Sequence, residues 1–199
     1  LPPPQSEENI SRLKEVSDNW LKHQQGGEKR FSLGWFSPGY LRHCPVMIVK
    51  DENGTIRAFA NLIPEYQRNE GTIDLMRRRE GDVGLIDLLF VRLIEYFQTQ
   101  HYDTFNLGLC PLAGVGEEQN ASVQEKVVRL FYHHFNQLYN FKGLRKFKEK
   151  FTPSWEPRYL IYSNSLALPK ITLAIVKANA GGSLRSYLES WREKKRLVK

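Results

Sequence analysis

The segment Asp74-Leu-Met-Arg77 carries an acid and a base at the end of a predicted strand. A carboxylate there can orient or deprotonate an amine or a hydroxyl, and a guanidinium can hold a phosphate or a carboxylate through two hydrogen bonds. If the strand is regular, Asp74 and Met76 lie on one face, and Leu75 and Arg77 lie on the other. A structural ion pair at a sheet edge explains the same residue types, so the pattern leaves both interpretations open.

The segment 139–158 interleaves cations with aromatic side chains, which is typical of phosphate binding combined with ring stacking. On a helix, Phe147 and Phe151 share one face because they are four residues apart. An amphipathic helix anchored by these two rings explains the same pattern. The cations that then project around the rest of the helix are Lys146, Lys148 and Lys150.

Neither the cysteines nor the histidines have the spacing of a metal site. Cys44 and Cys110 lack the near neighbour of a CxxC pair, so we expect neither a disulfide framework nor a structural zinc ion. His133 and His134 are adjacent on a predicted helix and point to different faces, so we expect no metal there. Because the sequence places no activating residue beside Cys110, we expect that thiol to be structural and buried.

The composition, with 41% hydrophobic and 26% charged residues among 199, resembles that of soluble globular proteins and excludes wholesale disorder. The most apolar stretch, residues 84–97, is interrupted by charges and does not read as a membrane span. Residues 1–139 hold 15 Lys or Arg against 18 Asp or Glu, whereas residues 140–199 hold 14 against 4, so the two parts carry −3 and +10. This asymmetry predicts a surface that meets nucleic acid phosphates or anionic lipid, with a solvated basic C-terminal helix as the alternative.

Hydrophobic periodicity and turn residues predict helices and strands in alternation. The N-terminal Leu-Pro-Pro-Pro resembles a linker rather than a signal peptide, which suggests a fragment of a longer protein. The predicted elements are a helix capped by Ser6 and ended at Gly26-Gly27, strands 46–50 and 56–62 joined by a hairpin, a turn at 37–39, a strand 72–77, a helix 84–100, a strand 104–109, a loop 111–120, a helix 121–139, a strand 158–162, an apolar helix opened by Pro169, and a basic helix capped by Ser183.

This order of elements predicts an α+β domain with a mixed central sheet of about six strands flanked by helices. The same order occurs in the acyltransferase fold called GNAT, and we expect a GNAT-like fold here. The expected organisation is a linker and N-terminal helix over 1–30, the GNAT-like domain over 31–182 and a basic C-terminal helix over 183–199.

Residues 78–84 resemble a degraded form of the loop with which GNAT enzymes cradle the pyrophosphate of coenzyme A at a helix N terminus. Val83 stands where that loop has a small residue, which argues against coenzyme A. A plain glycine turn explains the segment equally well.

Six segments between about Ser6 and Gly182 carry a more specific likeness. They are Phe31-Ser-Leu-Gly-Trp-Phe36, Phe59-Ala-Asn-Leu62, Asp74-Leu-Met-Arg77, Phe105-Asn-Leu-Gly108, the run from Tyr139 to Phe151, and Trp155-Glu-Pro-Arg-Tyr159. In this order they resemble the C-terminal catalytic domain of the bacterial phosphatidylglycerol aminoacyltransferases. These are the lysyl- and alanylphosphatidylglycerol synthases, also called multiple peptide resistance factors.

The resemblance implies transfer of an amino acid, lysine rather than alanine, from its charged tRNA to a hydroxyl of the phosphatidylglycerol headgroup. It implies neither ATP nor coenzyme A as a cofactor, and a product that lowers membrane negative charge and gives resistance to cationic antimicrobial peptides. It also implies a longer protein at the cytoplasmic side of the bacterial membrane, with an N-terminal flippase and a first GNAT-like half before this chain, which by itself is expected to be soluble.

By resemblance, the functional residues of the family fall on Asp74, Arg77 and Lys148. Asp74 is assigned to the aminoacyl amine or to hydroxyl activation, Arg77 to a phosphate or ester oxygen, and Lys148 to a phosphate or the oxyanion. Two alternatives stay open, a coenzyme A-dependent acetyltransferase and a non-catalytic module that binds RNA or anionic membrane. The further candidates are Arg145, Lys150 and Arg158 for the 3′ end of tRNA or the headgroup, and Glu117 and Glu118 for a lysine side chain.

Overall fold

A computed structural model of the chain describes residues 1–23, 28, 34–81, 84–111 and 141–179. The chain divides into two compact units, Leu1–Gly108 with Lys177–Lys199, and Leu109–Val176. No helix among the described residues is long and apolar enough to cross a membrane. The elements are α1 (Glu7–His23), α2 (Pro38–Leu41), β1 (Val46–Lys50), β2 (Ile56–Glu65), β3 (Glu70–Arg78), α3 (Leu85–Thr99), β4 (Thr104–Asn106), α4 (Phe141–Glu149), a 3-10 turn (Ser165–Ala167) and α5 (Leu168–Asn179).

The four strands form one sheet in the order β1-β2-β3-β4. The first three are antiparallel, and β4 is parallel to β3 because α3 carries the chain back across the sheet. The hairpin between β1 and β2 is confirmed, and Asp51 Oδ1 fixes it by accepting the N–H groups of Asn53 and Thr55. The predicted α+β class, with a mixed sheet flanked by helices, is thus confirmed.

Helix α1 covers one face of this sheet. Ser6 caps it as predicted, because its Oγ accepts the Asn9 N–H at 3.2 Å. The apolar side of α1 is buried with residues from β1, β2 and β3, among which Phe59 is fully buried. This first core cluster contains Ile10, Leu13, Val16, Leu41, Val46, Ile56, Phe59 and Leu75.

Helix α3 covers the opposite face of the sheet. Its Leu89, Leu93 and Phe97 pack against the small and apolar side chains that β2 turns towards them. The members from β2 are Ala58, Ala60 and Leu62, with Ile73 and Met76 of β3 packed at the margin. The site residues of β3 are therefore held in a sheet that is packed on both faces.

Strand β3 contains a β-bulge, so the expectation of regular alternation is wrong. Ala60 pairs with Met76, but Leu62 pairs with Ile73, which leaves two residues of β3 opposite one residue of β2. Ile73 and Met76 consequently both face α3, although they are an odd number of positions apart. The bulge leaves Asp74 on the α1 side with Leu75, where its charge acts on Arg77.

The described residues contain four strands, fewer than the six expected. Strand β4 ends at Asn106 rather than at residue 109, because Asn106 Oδ1 accepts the Gly108 N–H and Gly108 adopts a positive φ of 77°. Residues 158–162, predicted as a strand, pair with no strand within the described ranges.

The remaining element predictions have mixed outcomes. The expected turn at 37–39 is the start of the single-turn helix α2, because Pro38 stands in its first turn. The helix near Pro169 is confirmed as α5. Four predictions lie outside the described residues. They are the loop 111–120, of which only residue 111 is described, the helix 121–139, the helix capped by Ser183, and the end of α1 at Gly26-Gly27.

Candidate active site

Arg77 is a buried cation on the α1 face of the sheet. It is 6% exposed, and its guanidinium carbon lies 4.0 Å from the centroid of the Trp20 ring on α1. Its Nη2 donates to Glu28 Oε1 at 3.2 Å, and its Nη1 donates to the Met76 carbonyl oxygen at 3.2 Å. A ring face, a carboxylate and a backbone oxygen therefore hold the guanidinium together.

The charge of Arg77 is balanced by acids on the same side of the sheet. Burial lowers the pKa of Arg77, while the hydrogen bond and charge of Glu28 and the charge of Asp74 oppose that shift. Its Nε is buried and makes no hydrogen bond within the described residues. Because an unsatisfied buried donor costs free energy, Arg77 has one N–H for which an incoming oxygen would be favourable.

The two arginines that follow in sequence are partly exposed. Arg78 Nη1 lies 3.8 Å from Glu80 Oε2, and Arg79 Nη2 lies 3.2 Å from Glu15 Oε2. Such pairs near the surface contribute little to stability and are accessible to salt. Of the three consecutive arginines, burial thus distinguishes Arg77.

Asp74 is half-buried, and a backbone donor places its carboxylate. Its Oδ1 accepts the Gly34 N–H at 2.7 Å. A Cβ at residue 34 would lie 2.2 Å from Asp74 Oδ2, so this approach requires glycine. Gly34 therefore donates to the carboxylate and also leaves the space that the carboxylate occupies.

Tyr40 and Asn61 complete the surroundings of Asp74. Asn61 Nδ2 donates to the Tyr40 hydroxyl at 3.2 Å, and Asn61 Oδ1 accepts the Leu75 N–H at 2.7 Å. Burial and then the Asp74 charge raise the pKa of Tyr40, so the phenol is neutral near pH 7. Its oxygen accepts from Asn61, and the hydroxyl also makes a side-chain hydrogen bond with Cys44.

The first unit therefore brings Asp74 and Arg77 to one face of the sheet, with electrostatic interaction between them. Arg77 forms its ion pair with Glu28 rather than with Asp74, whose charge acts on it without a direct hydrogen bond. Asp74 in turn receives a backbone N–H and keeps a second carboxylate oxygen. The pair can accept a proton or bind an amine through the acid, and it can hold an oxyanion through the base.

In the second unit, Lys148 is the buried lysine of the α4 run. It is 5% exposed and its Nζ donates to the Leu109 carbonyl oxygen at 3.2 Å, whereas Lys146 and Lys150 are exposed. Burial lowers the pKa of Lys148, and its interaction with Cys110 opposes that shift. Burial therefore distinguishes Lys148 from the other two lysines of the run.

The further cations of α4 and of the segment after it are nearer the solvent. Arg145 Nε donates to Glu149 Oε1 at 2.9 Å, and its guanidinium carbon lies 5.9 Å from the centroid of the Trp155 ring. Arg158 Nη1 lies 3.1 Å from Glu156 Oε2 in an exposed pair. These contacts are weak enough for a phosphate to compete with them.

Phe147 of α4 and Phe151, two residues beyond the end of the helix, form a ring pair. The centroids of Phe147 and Phe151 are 5.5 Å apart in an edge-to-face arrangement. Lys150 Nζ lies 5.4 Å from the centroid of the Phe147 ring. The helix is confirmed over Phe141–Glu149, but it ends before Phe151, so only Phe147 of the predicted pair lies on it. A role for the cations does not conflict with this arrangement.

Several predicted residues lie outside the described part of the chain. Among the described residues no cluster of histidines, cysteines and acids could hold a metal ion. Cys44 is buried, whereas Cys110 is half-buried and hydrogen-bonds with Lys148, so the expectation of a buried Cys110 thiol is wrong. The residues outside the description are Val83, Glu117, Glu118, His133 and His134.

Five residues around the site were not predicted from the sequence to have a role. Gly34 and Asn61 belong to segments that carry the family likeness, and the signal for Asn61 is an amide within the apolar run 58–62. No local pattern could have found the other members, because they reach β3 from distant positions. The five residues are Trp20, Glu28, Gly34, Tyr40 and Asn61.

The sequence of this chain is similar to those of known phosphatidylglycerol lysyltransferases. A family model described as phosphatidylglycerol lysyltransferase, C-terminal, matches residues 1–162. The phosphatidylglycerol lysyltransferase of Bacillus subtilis is 39% identical over 183 residues, which are 91% of this chain and 21% of that protein. That of Staphylococcus haemolyticus is 38% identical over 169 residues, which are 84% of this chain and 20% of that protein.

A solved structure agrees with these sequence matches. L-PGS from Bacillus licheniformis has a similar fold, with a TM-score of 0.74 and 37% identity, covering 92% of this chain and 55% of that chain. The chain spans about a fifth of the length of the curated relatives it matches. The likeness found in the six motifs is confirmed, and the chain belongs to the phosphatidylglycerol lysyltransferase family, as part of its C-terminal region.

Proposed function

We propose that the protein containing this chain transfers an aminoacyl group, lysyl in preference to alanyl, from aminoacyl-tRNA to a hydroxyl of the phosphatidylglycerol headgroup. The names of the relatives support the lipid acceptor and the lysyl group. The observation that carries the proposal is the bulge in β3, which brings Asp74 to the face of the buried Arg77.

In the proposed reaction the donor ester is already activated, so neither ATP nor coenzyme A is required. The lipid hydroxyl oxygen attacks the ester carbonyl carbon, a C–O bond forms, and the hydroxyl proton passes to Asp74. Collapse of the tetrahedral intermediate breaks the ester bond to tRNA, whose ribose oxygen takes that proton. The products are aminoacyl-phosphatidylglycerol and free tRNA, with no net change in protons.

The cations have electrostatic roles in this proposal. Arg77 stabilises the tetrahedral oxyanion or a phosphate through its Nε–H, and Lys148 does the same as an ammonium. The outer cations Arg145, Lys150 and Arg158 contact the 3′ end of tRNA or the headgroup phosphate. Addition of lysine to the lipid lowers the negative charge of the membrane and weakens the attraction of cationic antimicrobial peptides.

The test is transfer of radiolabelled lysine from lysyl-tRNA into phosphatidylglycerol vesicles by the full-length protein. We expect Asp74→Asn to lower kcat by roughly 100-fold or more. Arg77→Lys should also lower it strongly, because an ammonium cannot reproduce the planar contact with Trp20. The matched controls are the exposed residues Asp103 and Arg92, as Asp103→Asn and Arg92→Lys.

The outcomes separate the competing functions. A rise in KM alone on Asp74→Asn would assign that carboxylate to the substrate amine rather than to the proton. Full activity of both variants would move the site elsewhere, and no transfer by the wild type would favour the non-catalytic module. Calorimetric binding of acetyl-coenzyme A would favour the acetyltransferase. For lysine over alanine, the variants Glu117→Gln and Glu118→Gln test the acids assigned to the lysine side chain.

A further inference from the structure

Asn61 is a fully buried amide at the middle of β2. It is 0% exposed and stands between Ala60 and Leu62, both of which face α3. A buried amide destabilises a fold by more than an apolar side chain would unless both of its ends find partners. Its contacts therefore indicate why an amide is present in this strand.

The orientation of the Asn61 side chain follows from a backbone donor. The Leu75 N–H can only donate, so the atom 2.7 Å from it must be the carbonyl oxygen Oδ1. The amide nitrogen then points to the Tyr40 hydroxyl at 3.2 Å and to Cys44 Sγ at 3.7 Å. Both ends of the amide are used.

The acceptor end of Asn61 lies at the bulge of β3. Asp74 and Leu75 have no Cα partner on β2, since the ladder passes from Ile73 directly to Met76. The Leu75 N–H, which a regular ladder would pair with a backbone carbonyl, is instead satisfied by the Asn61 side chain. The amide thus replaces the ladder bond that the bulge removes.

Loss of this bond would favour a regular strand. A buried Leu75 N–H without an acceptor costs free energy, and a shift of one residue restores its ladder bond. The same shift turns Asp74 towards α3 and away from the Gly34 N–H. The orientation of Asp74 is therefore coupled to the amide of Asn61.

We infer that Asn61 is a positioning residue for Asp74: its amide closes the β3 bulge and so holds the carboxylate on the face of Arg77. The inference deepens the proposed function and rests on it for the activity measurement. Asn61 touches neither substrate nor reacting atoms in this assignment, and it acts through the backbone of Leu75 and through Tyr40.

The experiment compares Asn61→Leu with Asn61→Asp in the full-length protein. Leucine has a similar volume but no acceptor, whereas aspartate keeps an acceptor for the Leu75 N–H. We expect Asn61→Leu to lower kcat for lysyl transfer by about tenfold or more with KM within about twofold, because misplacement of a reacting group acts on the chemical step. Asn61→Asp should retain more of kcat. Ser17→Ala is the matched control, since Ser17 is equally buried and its Oγ makes no hydrogen bond within the described residues.

A crystal structure of Asn61→Leu provides a readout that does not depend on activity. The inference requires that Asp74 no longer accepts the Gly34 N–H; an unchanged bond overturns it, as does wild-type kcat in a folded Asn61→Leu protein. If Asn61→Leu does not fold, a folded Asn61→Asp protein whose kcat falls as far as that of Asp74→Asn overturns it too, because aspartate keeps the acceptor for the Leu75 N–H. Failure of the wild type to transfer lysine would contradict the proposed function alone, and the crystal structure would still decide the role of Asn61.

Discussion

Arg77 is buried, which costs free energy, and it is also held in a fixed position, which suits it to bind an oxyanion. Folding removes its guanidinium from water, and Trp20 and Glu28 then hold it in a fixed position. A cation that is already desolvated and oriented needs little rearrangement when negative charge develops beside it. At the scale of single residues, this pre-organisation is the reason to place the oxyanion at Arg77 rather than at the exposed arginines beside it.

Gly34→Ala tests whether a small displacement of the Asp74 carboxylate lowers the rate of lysyl transfer. The added Cβ would lie 2.2 Å from Asp74 Oδ2 and 2.5 Å from Cγ, so the carboxylate must move. We expect the lysyl-transfer rate to fall by about tenfold to a hundredfold, and the free energy of unfolding by only about 1 kcal/mol, since Asp74 is half-buried. Gly39→Ala is the control because no atom would lie within 4 Å of its Cβ. Equal rates for the two variants would show that the contact with Gly34 does not set the activity.

At the scale of elements, the sequence predicted those structures that contacts between nearby residues stabilise. The β1–β2 hairpin was predictable because Asp51 accepts N–H groups only two and four residues away. The bulge in β3 was not, because the side chain that satisfies it is Asn61, which lies on another strand. No glycine or proline marks the bulge in the sequence.

The strand predicted at 158–162 is absent from the sheet that the described residues form, because a strand requires a partner as well as suitable residues. Its residues Tyr159 and Ile161 have high β-propensity, which predicts a strand from sequence. Propensity describes how a residue fits a pleated surface, and a strand also requires a partner ladder. Within the described residues this segment has none, and both side chains are exposed.

The α4 helix allows a prediction about pH. Because burial lowers the pKa of Lys148 below its ordinary value of 10.5, the unfolded chain binds more protons between the folded pKa and 10.5. The Lys148 contribution to stability therefore becomes more favourable as pH rises through that window. We expect the difference in unfolding free energy between wild type and Lys148→Met to shift in favour of the wild type from pH 7 to pH 10, measured by denaturant unfolding.

The exposed Lys146 of the same helix supplies the control for Lys148. Lys146→Met removes a cation that is already exposed to solvent, so its effect on the free energy of unfolding should be small at each pH. A pH-independent difference for Lys148→Met, equal to that for Lys146→Met, would contradict the assignment of Lys148 as the buried lysine.

At the scale of the whole molecule, charge is divided along the sequence rather than mixed. Residues 1–139 carry −3 and residues 140–199 carry +10. The acids assigned to hydrogen bonds in the site, Glu28 and Asp74, belong to the first part, and the outer cations belong to the second. Both proposed substrates are anionic, tRNA as a polyanion and phosphatidylglycerol through one phosphate in a negatively charged membrane surface. A basic segment would therefore attract both, while the acidic part would oppose non-specific binding.

This division predicts a steep dependence of binding on salt. Affinity for vesicles of phosphatidylglycerol should fall by roughly tenfold or more when salt rises from about 50 to about 200 mM, because each phosphate contact releases counterions or loses strength by screening. Vesicles of neutral phosphatidylcholine should bind weakly at both concentrations. Lys150→Gln should reduce the slope of affinity against salt, whereas Lys22→Gln, which removes an exposed cation of α1 in the acidic part, should leave the slope unchanged. Vesicle flotation measures both, and equal binding to neutral and anionic vesicles at all salt concentrations would mean that apolar insertion, rather than charge, holds the protein at the membrane.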